Sequence, residues 1–345
     1  MNTPTSRILT PPPRLSTEGP APWPMFIGER GGAPDMPIFA PVPEMVDPGL
    51  YLPEAGLREA VRIAIAIGQP LLVTGEPGTG KTQLAFWIAR ELGAGAPLIF
   101  NTKTTTTAAE LFYHYDALRH FHASQLNRGE LEIRTFIEFQ ALGLAILRAM
   151  PPQQVVAYAP AGPGAAAPCR SVVLIDEIDK APRDVPNDVL NELEEMAFSV
   201  REAAWPPFRA DPRLRPIVVL TSNSEKNLPD AFLRRCVFYH LKFPDATALQ
   251  RIISNRLPAP GLDDRTRAAI ETQAVEHFEQ IRELPLRKRP ATAELLAWVR
   301  VLHKLRLHVV TERRERASEI ATTYAVIAKN REDLQAMREH LGLPE

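Results

Sequence analysis

Residues 71–82 read Leu71-Leu72-Val73-Thr74-Gly75-Glu76-Pro77-Gly78-Thr79-Gly80-Lys81-Thr82, and the helix-like stretch QLAFWIARELG follows at once. A short apolar run bounded by glycine suits a buried parallel strand. The order is therefore strand, glycine-rich loop, helix, which is the context a phosphate-binding loop requires. Glycines permit backbone conformations closed to other residues, so the loop Gly75, Glu76, Pro77, Gly78, Thr79 and Gly80 can turn its amides around a polyphosphate at the positive end of a helix. Lys81 would reach the β and γ phosphates, and the Thr82 hydroxyl would coordinate Mg²⁺. At average residue usage, a chance match to this pattern in a chain of 345 residues is about one in a hundred.

Upstream, Leu57, Ala60, Val61, Ala64, Ile65 and Ile67 recur at helical spacing until Gly68-Gln69-Pro70 stops the pattern. Downstream, SVVLIDEIDKAP supplies a second buried run, Val172 to Ile175, ending in Asp176-Glu177. Carboxylates at the C-terminal end of such a strand face the crevice where open α/β sheets bind ligands. Asp176 would hold the Mg²⁺ shell and Glu177 would polarise an attacking water; Asp179 and Lys180 read as a surface ion pair. A third strand, from Ile217, ends in Asn223. Placed between the other two, its amide could orient the lytic water and contact the γ phosphate. LPDAFLRRC then supplies Arg234 and Arg235, and guanidinium suits the charge spread over transferring phosphoryl oxygens, also from a neighbouring subunit.

Forty basic against forty-one acidic side chains leave a formal charge of -1, so no global field draws the chain to nucleic acid or an anionic bilayer. Two cysteines, Cys169 and Cys236, are too few for a disulfide framework and read as unrelated thiols. No signal-like apolar region and no membrane-length apolar run is found, and a cytoplasmic protein is expected. Of 34 prolines, 13 fall within the first 53 positions. Such a segment holds neither a helix nor a central strand, so residues 1–48 are expected to form an extended arm, with Trp23, Phe26 and Phe39 available to dock on a neighbour.

In this order, residues 75–82, Asp176-Glu177, Asn223 and Arg235 resemble the AAA+ ATPases. The blocks LLVTGEPGTGKTQLA, VVLIDEIDKAPRDVPNDVLNELE and VVLTSNSEKNLPDAFLRRC are similar to the Walker A, Walker B and sensor 1 to arginine-finger segments of the MoxR branch. The resemblance covers about residues 50 to 345. It implies an α/β fold: an AAA+ P-loop core, a parallel sheet between helices, over residues 49–244 with an insert around 102–168, then a helical lid domain over 245–345. In that family the finger is the arginine nearer the following strand, which maps onto Arg235, with Arg234 as understudy. The resemblance also implies ATP and Mg²⁺ as cofactors, a homo-oligomeric, hexameric ring, chaperone-like remodelling of a protein substrate, and a von Willebrand factor A domain protein as the usual partner. Asn101, ending PLIFN, sits where many AAA+ proteins restrain the catalytic glutamate, or is a strand-end cap. The chain departs from the family at sensor 2. LRKRPATAELLAWVR has Lys288 and Arg289 before Pro290 and no arginine in the expected turn, leaving Arg289 as substitute or as ordinary helix-entry charge.

Ninety-five positions separate Lys81 from Asp176, more than a minimal strand-helix-strand step needs. The surplus holds Phe112, Tyr113 and Tyr115, core or pore-lining aromatics, then a helix-like FIEFQALGLAILRAM and a Pro/Gly/Ala loop from Pro151 to Pro168. His114, His120 and His122 have no further ligand fixed by spacing and read as solvated rather than metal-binding. AAWPPFRADPRLRP, before the Asn223 strand, is a long loop or a partner-facing hairpin. Arg287-Lys288-Arg289, with Arg313, Arg314 and Arg316, reads as a solvated helix face. The competing functions are an AAA+ motor acting on DNA, which calls for a basic pore, and a nucleotide-sensing scaffold with little turnover. A GTPase is disfavoured because TSNSEKNLPD does not spell N-K-x-D.

Overall fold

The computed structural model describes residues 47–126, 132–159, 166–224, 228–258, 261–309 and 314–343. The proline-rich arm, apart from residues 47 and 48, lies outside the described residues, as do Arg313, the side chains of Arg314 and Arg316, and residues 160–165 of the Pro/Gly/Ala loop. The chain divides into a unit spanning Tyr51–Phe243 and one that includes Pro244–Glu345.

In the first unit α1 (Ala55–Ile67) ends on Gly68, whose left-handed φ of 68° closes the helix. It leads into β1 (Leu71–Gly75), α2 (Lys81–Glu91) and β2 (Leu98–Asn101). Next come β3 (Tyr113–Tyr115), α3 (Ala117–Leu126), β4 (Ile137–Phe139), α4 (Ala141–Arg148) and β5 (Val172–Asp176). The unit closes with α5 (Leu190–Glu195), β6 (Ala197–Phe198), β7 (Phe208–Arg209), β8 (Ile217–Ser222) and β9 (Val237–Leu241). Five strands form one sheet in the order β2-β5-β8-β1-β9, and every pairing is parallel. The strand β8, which ends at Ser222, one residue short of Asn223, therefore lies between β5 and β1, as expected.

Strand side chains alternate between faces, and here both faces are covered. Leu71, Val73, Val172, Leu174, Ile217 and Val219 pack with Leu57 and Val61 of α1 and Leu84 and Ile88 of α2. Leu72, Val173, Ile175, Val218 and Leu220 pack instead with Leu142 and Ile146 of α4. This double burial explains why β1, β5 and β8 read as unbroken apolar runs.

The insert differs from its sequence reading in one respect. Phe136 ends a 3-10 turn and Ile137–Phe139 forms β4, paired antiparallel with β3, so that within this stretch the α-helix covers only Ala141–Arg148. Buried Phe136 and the ladder to Tyr113–Tyr115 override the helical pattern. Phe112 and Tyr113 are buried, which makes them core and not pore-lining. Phe112 stacks on Phe198 at 5.2 Å, and Arg201 N–H donates to the Tyr113 hydroxyl at 3.1 Å. The loop read in AAWPPFRADPRLRP starts in a two-strand hairpin, β6 with β7, whose Phe198 and Phe208 rings join the same cluster at 5.2 Å. His120 stacks on Phe136 at 4.5 Å, and among the described residues no group of three or more His, Cys, Asp or Glu could hold a metal ion. Both cysteines are free thiols.

The second unit is helical: α6 (Ala246–Arg256), α7 (Asp264–Glu283), α8 (Thr292–Leu305), α9 (Arg314–Thr323) and α10 (Arg331–His340). Asp245, Asp263 and Asn330 cap α6, α7 and α10 through side-chain oxygens. Leu249, Ile270, Phe278, Leu295, Trp298 and Tyr324 form its interior. Arg287, Lys288 and Arg289 are exposed, and Asp333 accepts the backbone N–H groups of Arg287 and Lys288 at 2.8 and 3.0 Å. Among the described residues no helix is long and apolar enough to cross a membrane.

His277 is 4% exposed and bonded to the Tyr324 hydroxyl. Burial, with His340 nearby, pushes its pKa from 6.5 down to about 4. Between those values the unfolded chain binds a proton that the folded one refuses, so stability falls as pH drops through the window, by up to about 1.4 kcal/mol per pH unit. Thermal midpoints measured from pH 7 to pH 4 should fall more steeply for the native protein than for His277→Gln. Parallel curves would refute this account.

Candidate functional site

The loop between β1 and α2 is shaped by backbone that only glycine tolerates. Gly75 has φ 148°, and a Cβ there would lie 2.5 Å from the Leu241 carbonyl oxygen on β9. Gly80 precedes α2 with φ 92°, and its missing Cβ leaves room for the Tyr51 ring 3.0 Å away. Within the loop the Thr79 hydroxyl donates to Glu76 O at 2.9 Å.

Lys81, first residue of α2, is 7% exposed. Its ammonium donates to Gly75 O at 2.7 Å, Glu76 O at 3.0 Å and Asn223 Oδ1 at 2.9 Å, which uses all three protons. Burial lowers its pKa, and Asp176, Asp179, Glu177 and Glu76 oppose that shift. The Thr82 hydroxyl lies 3.2 Å from Asp176 Oδ2. Asn223 Nδ2 donates to Glu177 Oε1 at 3.2 Å. Lys81, Thr82, Asp176, Glu177 and Asn223, named from three separate segments, are thus in one connected group at the C-terminal edge of β1, β5 and β8.

The donor set fits a nucleotide with a divalent cation. The loop amides and Lys81 suit phosphate oxygens, and the paired Thr82 and Asp176 oxygens suit Mg²⁺. Two side-chain ligands are too few for an all-protein magnesium cage, so phosphate oxygens and water would complete the shell.

Two sequence expectations need correction. Lys180 pairs with Glu177 Oε2, not with Asp179, because one 3-10 turn, Ile178–Lys180, brings the lysine back over its start. Asp179 Oδ1 accepts the Asn223 backbone N–H at 3.3 Å instead. Asn101 stands level with Asp176 but is exposed, and the Glu177 carboxylate is held by Asn223 and Lys180 in place of it. No signal in the sequence separated Lys180 from a solvated lysine.

Arg234 and Arg235 are exposed, and Arg235 Nε lies 3.5 Å from Glu194 Oε2. They precede β9, whose first residue, Val237, is level with Leu71, whereas its last, Leu241, is level with Gly75. A five-residue strand spans about 16 Å, so Arg235 sits at the opposite edge of the sheet from the loop. A cavity of about 360 Å³ there is lined by Pro70, Leu193, Glu194, Arg215, Phe232 and Arg235, among others.

Gly75→Ala should strain β1 against β9 and lower stability by about 1–3 kcal/mol, with weaker nucleotide binding. Denaturant midpoints and titration with a fluorescent ATP analogue check this, and native values in both would refute it.

Residues 70–236 match the family model described as AAA domain (dynein-related subfamily). No curated protein matches the chain. Among solved structures, it is similar to a point variant of Thermotoga maritima RuvB at 16% identity, over 84% of this chain and 70% of that one, with a TM-score of 0.38.

Proposed function

We propose that this ATPase, with an AAA domain of the dynein-related subfamily over residues 70–236, hydrolyses MgATP within a ring of its own copies to remodel a partner protein. The observation that carries the reading is the convergence of Lys81, Thr82, Asp176, Glu177 and Asn223 at one edge of the sheet. Residues 75–80 cradle the phosphates, Lys81 neutralises their charge, and Thr82 and Asp176 hold the Mg²⁺. When bound, Mg²⁺ spreads the charge of the phosphate oxygens during transfer. Glu177 takes a proton from the attacking water, and Asn223, bonded to both Lys81 and Glu177, sets that water between base and phosphate.

Arg235 lies too far along the sheet to serve its own loop, so it completes a neighbour's site. That requirement supports a closed ring, with six subunits as the family resemblance implies. The wording of the three sequence blocks favours a MoxR-like chaperone, with a von Willebrand factor A domain protein as partner. The near-zero net charge favours a protein substrate over DNA.

Glu177→Gln should bind ATP with native affinity and lose hydrolysis by at least about 100-fold. Undiminished turnover would overturn the assignment, and a partner trapped on this variant would identify the substrate by mass spectrometry. Arg235→Ala should also bind ATP, yet lose about 1000-fold in assembled turnover. Turnover per subunit measured against protein concentration checks it, and a curve unchanged from the native one removes the finger.

A further inference from the structure

Thr221 is completely buried in β8, in a strand otherwise built of Ile217, Val218, Val219, Leu220 and Ser222. Valine would fill the same volume without a hydroxyl to satisfy, and a buried hydroxyl is costly unless it is bonded. Here it is bonded twice. Thr221 Oγ1 accepts the Glu177 backbone N–H at 2.8 Å and donates to Asp176 Oδ1 at 2.5 Å. One hydroxyl thus grips the backbone of one residue and the carboxylate of the residue before it.

Glu177 has φ 55° and ψ 51°, a left-handed conformation that a non-glycine residue keeps only where its surroundings hold it. The other tie on its backbone is Lys180 N–H to Glu177 O at 2.9 Å, which lies within the same short turn. The Thr221 bond ties the Glu177 amide itself to the sheet, while the Asn223 N–H reaches the same turn through the Asp179 side chain at 3.3 Å. The reversal at this position ends β5 and carries the Glu177 carboxylate to Asn223 Nδ2. By engaging Asp176 Oδ1, the same hydroxyl fixes a carboxylate rotation in which the Thr82 hydroxyl lies 3.3 Å from Oδ1 and 3.2 Å from Oδ2.

We propose that Thr221 is a positioning residue that sets both carboxylates of the hydrolytic site, Asp176 through its side chain and Glu177 through its strained backbone. It is fully buried and acts through the two acids. Because Thr221 stands two residues before Asn223, which directly follows the end of β8, it also locks the spacing between Glu177 and the amide that faces it. The proposal rests on the roles given above to Asp176 and Glu177.

The test compares Thr221→Val, which keeps the shape and loses the hydroxyl, with Thr221→Ser, which keeps the hydroxyl. In nucleotide-free protein, amide hydrogen exchange in a peptide containing Glu177 should accelerate by about 10-fold in the valine variant and stay native in the serine variant. The Mg²⁺ concentration for half-maximal binding of an ATP analogue should rise, and kcat should fall, each by about 10- to 100-fold, while KM for ATP changes by less than about threefold. Native exchange and native kcat in Thr221→Val would overturn the proposal, as would a serine variant as impaired as the valine one. If Thr221→Val does not fold, Thr221→Cys against Thr221→Ser makes the same comparison, since a thiol is a weak partner for both bonds. Glu177→Gln runs alongside. If it still hydrolyses ATP, the site assignment itself is wrong; if it is dead while Thr221→Val is native, only the positioning role is lost.

Discussion

The parallel seating of β8 between β5 and β1 determines almost everything at the site. Ile175 stands level with Leu220 on one side and Thr74 level with Ser222 on the other. That register brings the ends of three strands to one edge, so that Asp176-Glu177, Asn223 and the glycine loop meet. A slip of one residue would exchange the two faces of the strand. Val219 and Leu220, both buried against different cores, would change places, and Thr221 would no longer reach the Glu177 amide. Burial on both sides of the sheet is therefore what protects the chemistry at its rim.

The strand-loop-helix around Lys81 was legible because each part has its own physical signature. The apolar run, the glycines and the following amphipathic stretch agree with one another. Asp176, Glu177 and Asn223 could be named because they end apolar runs, where side chains leave the sheet. The β3–β4 ladder was misread because Ile137 and Phe139 are few residues, and the helical pattern after Ala141 extends backwards over them. Only their pairing with Tyr113–Tyr115, more than twenty positions away, decides the matter. Thr221 was invisible for a related reason. A threonine within a β-branched strand looks like ordinary propensity, and its use depends on which neighbour the hydroxyl meets.

Charge at the site is unevenly matched to burial. Burial lowers the Lys81 pKa, and four carboxylates nearby, Asp176, Asp179, Glu177 and Glu76, oppose that shift. Lys180 sits in solvent beside Glu177, where an ion pair contributes little to stability. The buried lysine and the acids around it are thus coupled, and exchanging any of them for a neutral group alters the lysine as well as the position itself.

The placement of Arg235 and Lys81 at opposite rims of one sheet has a consequence for mixed populations. On the reading proposed here, catalytic competence is a property of each junction between two copies, and no single chain possesses it whole. A copy defective at one rim would silence its neighbour's chemistry while keeping its own intact, and a copy defective at the other would do the reverse. Two different inactive chains blended together could then restore part of the turnover that neither shows alone, wherever the intact rims happen to face each other.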